Sequence, residues 1–167
     1  MKFITFTRMN IRKIRPEDNA QVANIIRTVM PEFGASGQGF AIHDKEVDNM
    51  YATYNEPRCA YFVCEEDGKI VGGGGVAPLE GGDADTCELK KMYFLPEGRG
   101  KGWGQSVLNA CVKAATEIGF AYCYLETFNT MKGAMKLYEK NGFEKIPKAC
   151  GNTGHFACDT FYRKKLN

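Results

Sequence analysis

The residues best suited to chemistry lie in one short run, Arg99-Gly100-Lys101-Gly102-Trp103-Gly104, followed by a stretch of helical periodicity. Closely spaced glycines let main-chain N–H groups converge, and a helix N-terminus adds partial positive charge at the same place. Such a site suits phosphate oxygens. The spacing is not that of a dinucleotide fingerprint, and no acidic residue closes a second strand at the expected distance. The four glycines at 72–75 are not followed by Gly-Lys-Ser/Thr, which argues against a Walker-type ATP loop. A tight strand-to-helix connection is the plain alternative for residues 99–104.

The other reactive side chains are scattered. His43 and His155 are far apart and lack carboxylate or cysteine neighbours at ligand spacing, so no metal is expected and neither histidine reads as catalytic. No serine or cysteine stands in a nucleophile motif. The seven cysteines (59, 64, 87, 111, 123, 150, 158) are odd in number, form no C-x-x-C pair and sit mostly in apolar segments. With no apolar leader behind a basic start and no bilayer-length apolar stretch, the expectation is a cytoplasmic protein with reduced thiols and no membrane partner. A net charge of +2 and the lack of an arginine-rich, aromatic-interleaved stretch predict no nucleic-acid partner. The lysines at 132, 136, 140, 145 and 148 read as a solvated helix face and its flank, with phosphate contact as the other use. Glu126 and the turn bearing Glu80, Asp83 and Asp85 either attract a cationic substrate or, as is usual for such a turn, are simply solvated.

The elements that must position these groups follow from periodicity. At 167 residues, with 44% hydrophobic and 25% charged residues, the chain suits one domain spanning residues 1–167 with its own core. Residues 10–15 read as a strand, and Pro16 opens a helix whose stripe is Val22, Ile25, Ile26, Val29 and Met30, with Pro31 stopping it. Residues 32–39 read as a loop and 44–54 as a second helix. Cys59–Glu66, Asp67-Gly68 and Lys69–Ala77 read as a hairpin. Its glycines at 72–75 either admit a close approach to the backbone or are a tolerated weakness. Thr86–Leu95 is a further strand, followed by the glycine turn and a helix carrying Val107, Leu108, Cys111, Ala115 and Ile118 up to Gly119. Strand 120–126, helix 130–140 and strands 143–146 and 154–163 complete an α/β (α+β) order around one largely antiparallel sheet.

The strand at 86–95 slips in phase, because Leu89 is at an odd position whereas Met92 and Phe94 are at even ones. If all three face one core, a β-bulge must insert an extra residue and leave main-chain groups free. Otherwise Tyr93 and Leu95 are the buried pair.

Arg99-x-x-Gly102-x-Gly104, after Glu88-Leu-Lys-Lys-Met-Tyr-Phe-Leu-Pro96-Glu97, closely resembles the signature of the GNAT superfamily of N-acetyltransferases. Asn129, Ala134, Leu137, Tyr138, Glu139, Lys140, Gly142 and Phe143 resemble that family's second block, and Arg15-Pro16-Glu17-Asp18 resembles many family N-termini. The resemblance implies six to seven mostly antiparallel strands flanked by about four helices, with central strands splayed near Met92 and Leu125. It implies acetyl-CoA as cosubstrate and no metal. The main chain of Arg99, Gly100, Lys101, Gly102, Trp103 and Gly104 would hold the pyrophosphate. The bulge at Met92, Tyr93 and Phe94 would hydrogen-bond the pantetheine arm and the acetyl carbonyl.

Tyr138 matches the family's usual general acid, which would protonate the leaving thiolate; its bland reading is a tyrosine packed on a helix face. Glu88 matches the catalytic glutamate of histone-acetylating members and would deprotonate the amine, directly or through water. Asn129 matches a residue that contacts the pantetheine arm, and also suits a helix N-cap. Trp103 replaces a smaller aliphatic residue and should pack at the helix start. The expected reaction is direct acetyl transfer to a primary amine of a small molecule, amino acid or peptide, with a homodimer as an open assembly state. The rival readings are a non-catalytic acyl-CoA-binding regulatory module and an ATP-binding domain.

Overall fold

The computed structural model describes residues 7–167. Its elements, in chain order, are strand β1 (Met9–Lys13), helices α1 (Asn19–Glu32) and α2 (Met50–Tyr54), and strands β2 (Ala60–Glu66), β3 (Lys69–Pro78) and β4 (Thr86–Phe94). Helix α3 (Trp103–Ile118), strand β5 (Tyr122–Thr127), helix α4 (Lys132–Lys140) and strands β6 (Glu144–Ile146) and β7 (Thr160–Lys165) follow. The seven strands form one sheet in the order β1-β2-β3-β4-β5-β7-β6, antiparallel except for β4 against β5. Among the described residues no helix is long and apolar enough to cross a membrane.

Each face of the sheet carries its own core. On one face, Val22, Ile25, Ile26, Val29 and Met30 of α1 and Met50 and Tyr54 of α2 pack on Tyr61, Val63, Ile70 and Leu95. On the other, Val107, Leu108, Cys111 and Ala115 of α3 and Tyr138 of α4 pack on Val76, Leu89, Leu125 and Tyr162. The stripes predicted from 3.6-residue periodicity are therefore the buried ones.

The glycines of β3 are there for close approach. A Cβ on Gly73 or Gly75 would meet the Tyr61 ring and the main-chain oxygens of Phe62 and Ala60 at 2.5–2.9 Å. On the opposite face a Cβ on Gly72 would strike Phe94, and one on Gly74 would crowd Met92 and Val107. The bare strand lets Tyr61 lie against it from one side and the β4 side chains from the other.

Several boundaries differ from the sequence reading. Pro31 does not stop α1 but lies inside its last turn, where its missing N–H and ring are tolerated for one more residue. Residues 44–54 are not one helix. A 3-10 turn at Lys45–Asp48 breaks off at Asn49 (φ −143°) before α2 begins. Helix α4 starts at Lys132 rather than 130. The last strand covers Thr160–Lys165; residues 147–159 run as an irregular connection, with left-handed turns at Gly151 and Gly154. Lys132, Lys136, Lys140, Lys145 and Lys148 are exposed, as a solvated face requires, and the turn with Glu80, Asp83 and Asp85 is exposed as well.

Candidate active site

The site opens where β4 and β5 part. Their ladder comprises only Thr86–Tyr122, Cys87–Cys123 and Glu88–Tyr124, although β4 continues to Phe94 and β5 to Thr127. Past Glu88 the edge of β4 that faces β5 has no strand partner. The bulge predicted from the phase slip is present: Gly73 pairs with Tyr93 and Gly75 with Lys90, so Lys91 and Met92 together oppose Gly74. Lys91 takes the left-handed conformation (φ 51°), which no β-strand residue adopts without such an insertion. Leu89, Met92 and Phe94 consequently share the α3 face, while Tyr93 and Leu95 turn to the α1 face, so both candidate sets contribute to a core.

Two cavities flank the bulge. The larger, a groove of about 420 Å³, is bordered by Met92–Phe94, by the turn from Gly98 to Gln105 and by Ala134, Leu137 and Tyr138. Gly100 and Gly102 are both left-handed (φ 72° and 81°), a conformation that costs glycine nothing. Among the described residues, no carbonyl or side chain accepts a hydrogen bond from the main-chain N–H groups of residues 100–105. They line the groove beside the N-terminus of a sixteen-residue helix, which suits an anion. Arg99 braces this turn through its side chain, donating to the Phe94 carbonyl (2.9 Å) and pairing with Glu32 (2.9 Å). Lys101 pairs with Glu66 and stacks over the buried Trp103, which anchors the helix start as expected.

The smaller cavity, about 40 Å³, is lined by Glu88, Lys90, Lys91, Glu126, His155, Cys158 and Tyr138. Met92, Tyr93, Met131 and Tyr138 belong to both walls, so the two cavities meet there. Tyr138 is 6% exposed, its ring between Phe143 and Tyr162, and burial raises its phenol above the ordinary value. Among the described residues its hydroxyl has no hydrogen-bond partner. It is therefore a protonated donor free to meet a ligand.

Glu88 is 4% exposed, and burial pushes its carboxyl up to about 7, with Lys90 opposing and Glu126 adding to the shift. Around it stands a charge network that sequence reasoning missed. The Lys91 ammonium, wholly buried, pairs with Asp44 (2.6 Å) and Glu46; Lys90 pairs with Glu46 (3.2 Å). His155, contrary to the sequence expectation, does have carboxylate neighbours: its Nε2 lies 2.9 Å from Asp44 and its Nδ1 3.8 Å from Glu126. Burial opposes ionisation of Asp44, but the His155 hydrogen bond and Lys91 outweigh it and hold the carboxyl at about 2. The same hydrogen bond lifts the His155 pKa above the ordinary value against the effect of burial. Glu88, Glu126 and His155 each bring one ligand atom within 4.8 Å of the others, so a metal-capable grouping exists in space where none is visible in sequence. These contacts span 29 to 111 residues of chain, beyond any local pattern. The one local signal was a pair of lysines in a strand otherwise destined for burial.

Asn129 does not serve one of its two expected uses. It precedes the helix by three residues, so it is not the N-cap, and its main chain donates to Asp159 (2.9 Å). Its side chain lines neither cavity. No two of the seven cysteines are bonded.

The chain matches the family model described as the acetyltransferase (GNAT) family over residues 22–143. It is 43% identical over 157 residues to the uncharacterized N-acetyltransferase YjgM of Escherichia coli K12, covering 93% of this chain and 94% of that protein. Its fold is similar to an acetyltransferase of the GNAT family from Staphylococcus aureus Mu50 (TM-score 0.82, 21% identity, 96% of this chain and 100% of that one). It is also similar to the PaiA N-acetyltransferase of Thermoplasma acidophilum in complex with coenzyme A (TM-score 0.71, 19% identity, 95% and 98%).

Proposed function

The chain belongs to the acetyltransferase (GNAT) family, and from that premise we propose that it binds acetyl-CoA in the larger groove and transfers the acetyl group directly to a primary amine presented in the smaller cavity. The observation that carries this reading is the meeting of the two cavities at Met92, Tyr93 and Tyr138. The pyrophosphate is assigned to the free N–H groups of residues 100–105, with the helix dipole behind them. The bulge frees main-chain groups at Met92–Phe94 for the pantetheine arm and for the thioester carbonyl, where an N–H donor would stabilise the developing oxyanion. The PaiA N-acetyltransferase, similar in fold, was solved in complex with coenzyme A, which supports coenzyme A as the class of ligand.

An alkylammonium must lose a proton before it attacks. Glu88, with its carboxyl pushed up to about 7 by burial, is poised to accept one near neutral pH. Tyr138, protonated and without an internal partner, is assigned as the donor to the departing thiolate. Cys158 also lines the cavity, but burial pushes its thiol to about 12, which suits direct transfer rather than an acyl-cysteine. The acceptor is a small-molecule or peptide amine.

The test is thiol release from acetyl-CoA with a panel of amino acids, polyamines and lysine peptides, beside Tyr138→Phe. Release that depends on one acceptor and collapses in the variant supports the assignment. Coenzyme A binding without release under any acceptor would leave a regulatory acyl-CoA module instead, and no binding would refute the groove assignment.

A further inference from the structure

We propose that Glu88, Glu126 and Nδ1 of His155, the last oriented by Asp44, form a three-point receptor for the acceptor's primary ammonium group. The inference deepens the acetyl-transfer reading and rests on it for calling the ligand the acceptor, though not for the binding.

The ring tautomer follows from geometry. Nε2 of His155 lies 3.0 and 2.9 Å from the two oxygens of Asp44, and an ionised carboxylate only accepts, so Nε2 carries hydrogen. In the neutral ring Nδ1 is then a bare lone pair. It faces Oε2 of Glu126 at 3.8 Å, too far for a hydrogen bond, with acceptor opposed to acceptor. Glu88 adds a third acceptor, 4% exposed and without a hydrogen-bond donor among the described residues. Its oxygens open on the small cavity, where a ligand that donates can reach them. Glu126 is otherwise fixed by the hydroxyls of Tyr124 (2.8 Å) and Thr153 (2.9 Å), which aim it without neutralising it.

The spacing selects the ligand. One atom from each group lies within 4.8 Å of the others, so some point stands no farther than 4.8/√3, about 2.8 Å, from all three. That is the N–H···O distance of an ammonium, and a primary ammonium has three donors for three acceptors. A tertiary or quaternary amine does not. The charged groups facing His155 are Asp44 from the segment after α1, Glu88, Lys90 and Lys91 from β4, and Glu126 from β5. Lys91 is already paired with Asp44 and Glu46, and Lys90 with Glu46, so neither cation satisfies the three acceptors.

Access is also provided. A wider opening of about 480 Å³, bordered by Asp44, Glu46, Glu80, Lys90 and His155, shares Lys90 and His155 with the small cavity. The amine would enter from this side, opposite the coenzyme groove. The chemistry balances: R–NH3+ gives one proton to the Glu88 carboxylate, leaving a carboxylic acid and R–NH2, whose lone pair bonds the thioester carbon. As the C–S bond breaks, the thiolate takes the Tyr138 proton and the nitrogen's second proton restores Tyr138. Glu88 then returns one proton to solvent.

The chain has only two histidines, which makes imidazole 15N NMR directly assignable with His43→Gln. The wild-type protein, without acetyl-CoA, should show the Nε2–H tautomer at His155. Ethylammonium should shift its Nδ1 resonance, tetramethylammonium should not, and Glu126→Gln should weaken ethylammonium at least tenfold. Asp44→Asn should shift the tautomer balance. With an acceptor in hand, His155→Gln should raise its KM more than it lowers kcat. An Nδ1–H tautomer, equal response to the two ammonium ions, or Zn2+ displacing ethylammonium at equimolar concentration would overturn the receptor. An unchanged KM in His155→Gln would overturn the histidine's part in the receptor. Absence of thiol release from the wild type would refute the acetyl-transfer reading while leaving the ammonium titration to decide the receptor.

Discussion

Replacing Glu88 by glutamine should make the protein more stable, and the size of the gain should depend on pH. The carboxyl sits at the core end of the β4–β5 ladder, 4% exposed, and burial moves its pKa from 4.5 to about 7. A pKa higher in the folded than in the unfolded chain means that the native state holds the proton more tightly between those values. Its contribution is therefore fully present below about pH 4.5 and is lost as pH rises through about 7. At 1.36 kcal/mol per pH unit, a difference of roughly 2.5 units corresponds to about 3 kcal/mol lost by pH 8. Glu88→Gln keeps the shape and removes the titration. Wild type and variant should have similar stability at pH 4.5, and the variant should lead by about 3 kcal/mol at pH 8. For a chain of this size that is a Tm difference on the order of 10 °C. Urea unfolding of both proteins from pH 4.5 to 8, with m unchanged, measures it. Parallel pH curves, or a variant no more stable than wild type at pH 8, would show that Glu88 is not ionised against its surroundings, and its role as base would fall with that result.

Other consequences are more local. Tyr138→Phe should lower kcat by about 10²-fold while leaving coenzyme A affinity within about twofold, because the ring still packs on Phe143 and Tyr162 and only the proton donor is lost; stopped-flow thiol release and calorimetry separate the two. Gly75→Ala should destabilise by about 2 kcal/mol, lowering Tm by roughly 4–8 °C, since the new Cβ would lie 2.6 Å from the Ala60 carbonyl and 2.5 Å from the Tyr61 ring; thermal unfolding checks it. Gly102→Ala meets no atom within 4 Å but must keep φ 81°, so its cost of about 1–2 kcal/mol is conformational. Coenzyme A affinity should fall in that variant as the N–H groups of the turn lose their alignment, which calorimetry would detect.

What the sequence determined by itself were the features whose physics is local. The glycine turn and the helix behind it are contiguous, so Arg99–Gly104 could be read as an anion site before any fold was known. The bulge was legible because a period of two cannot place Leu89, Met92 and Phe94 on one face without an extra residue, and Lys91 with Met92 supplies it. The amphipathic stripes of α1 and α3 predicted which faces would be covered. Tertiary structure alone decided the inner cavity. Asp44, Lys91, Glu126 and His155 lie on separate segments, and His155 stands in a connection with left-handed turns that leaves no periodic trace. It also decided the values that matter for chemistry. A glutamate has an ordinary pKa in any sequence; only removal of water around Glu88 and the placing of Glu126 nearby, against the opposing pull of the lysines, bring that carboxyl up to about 7.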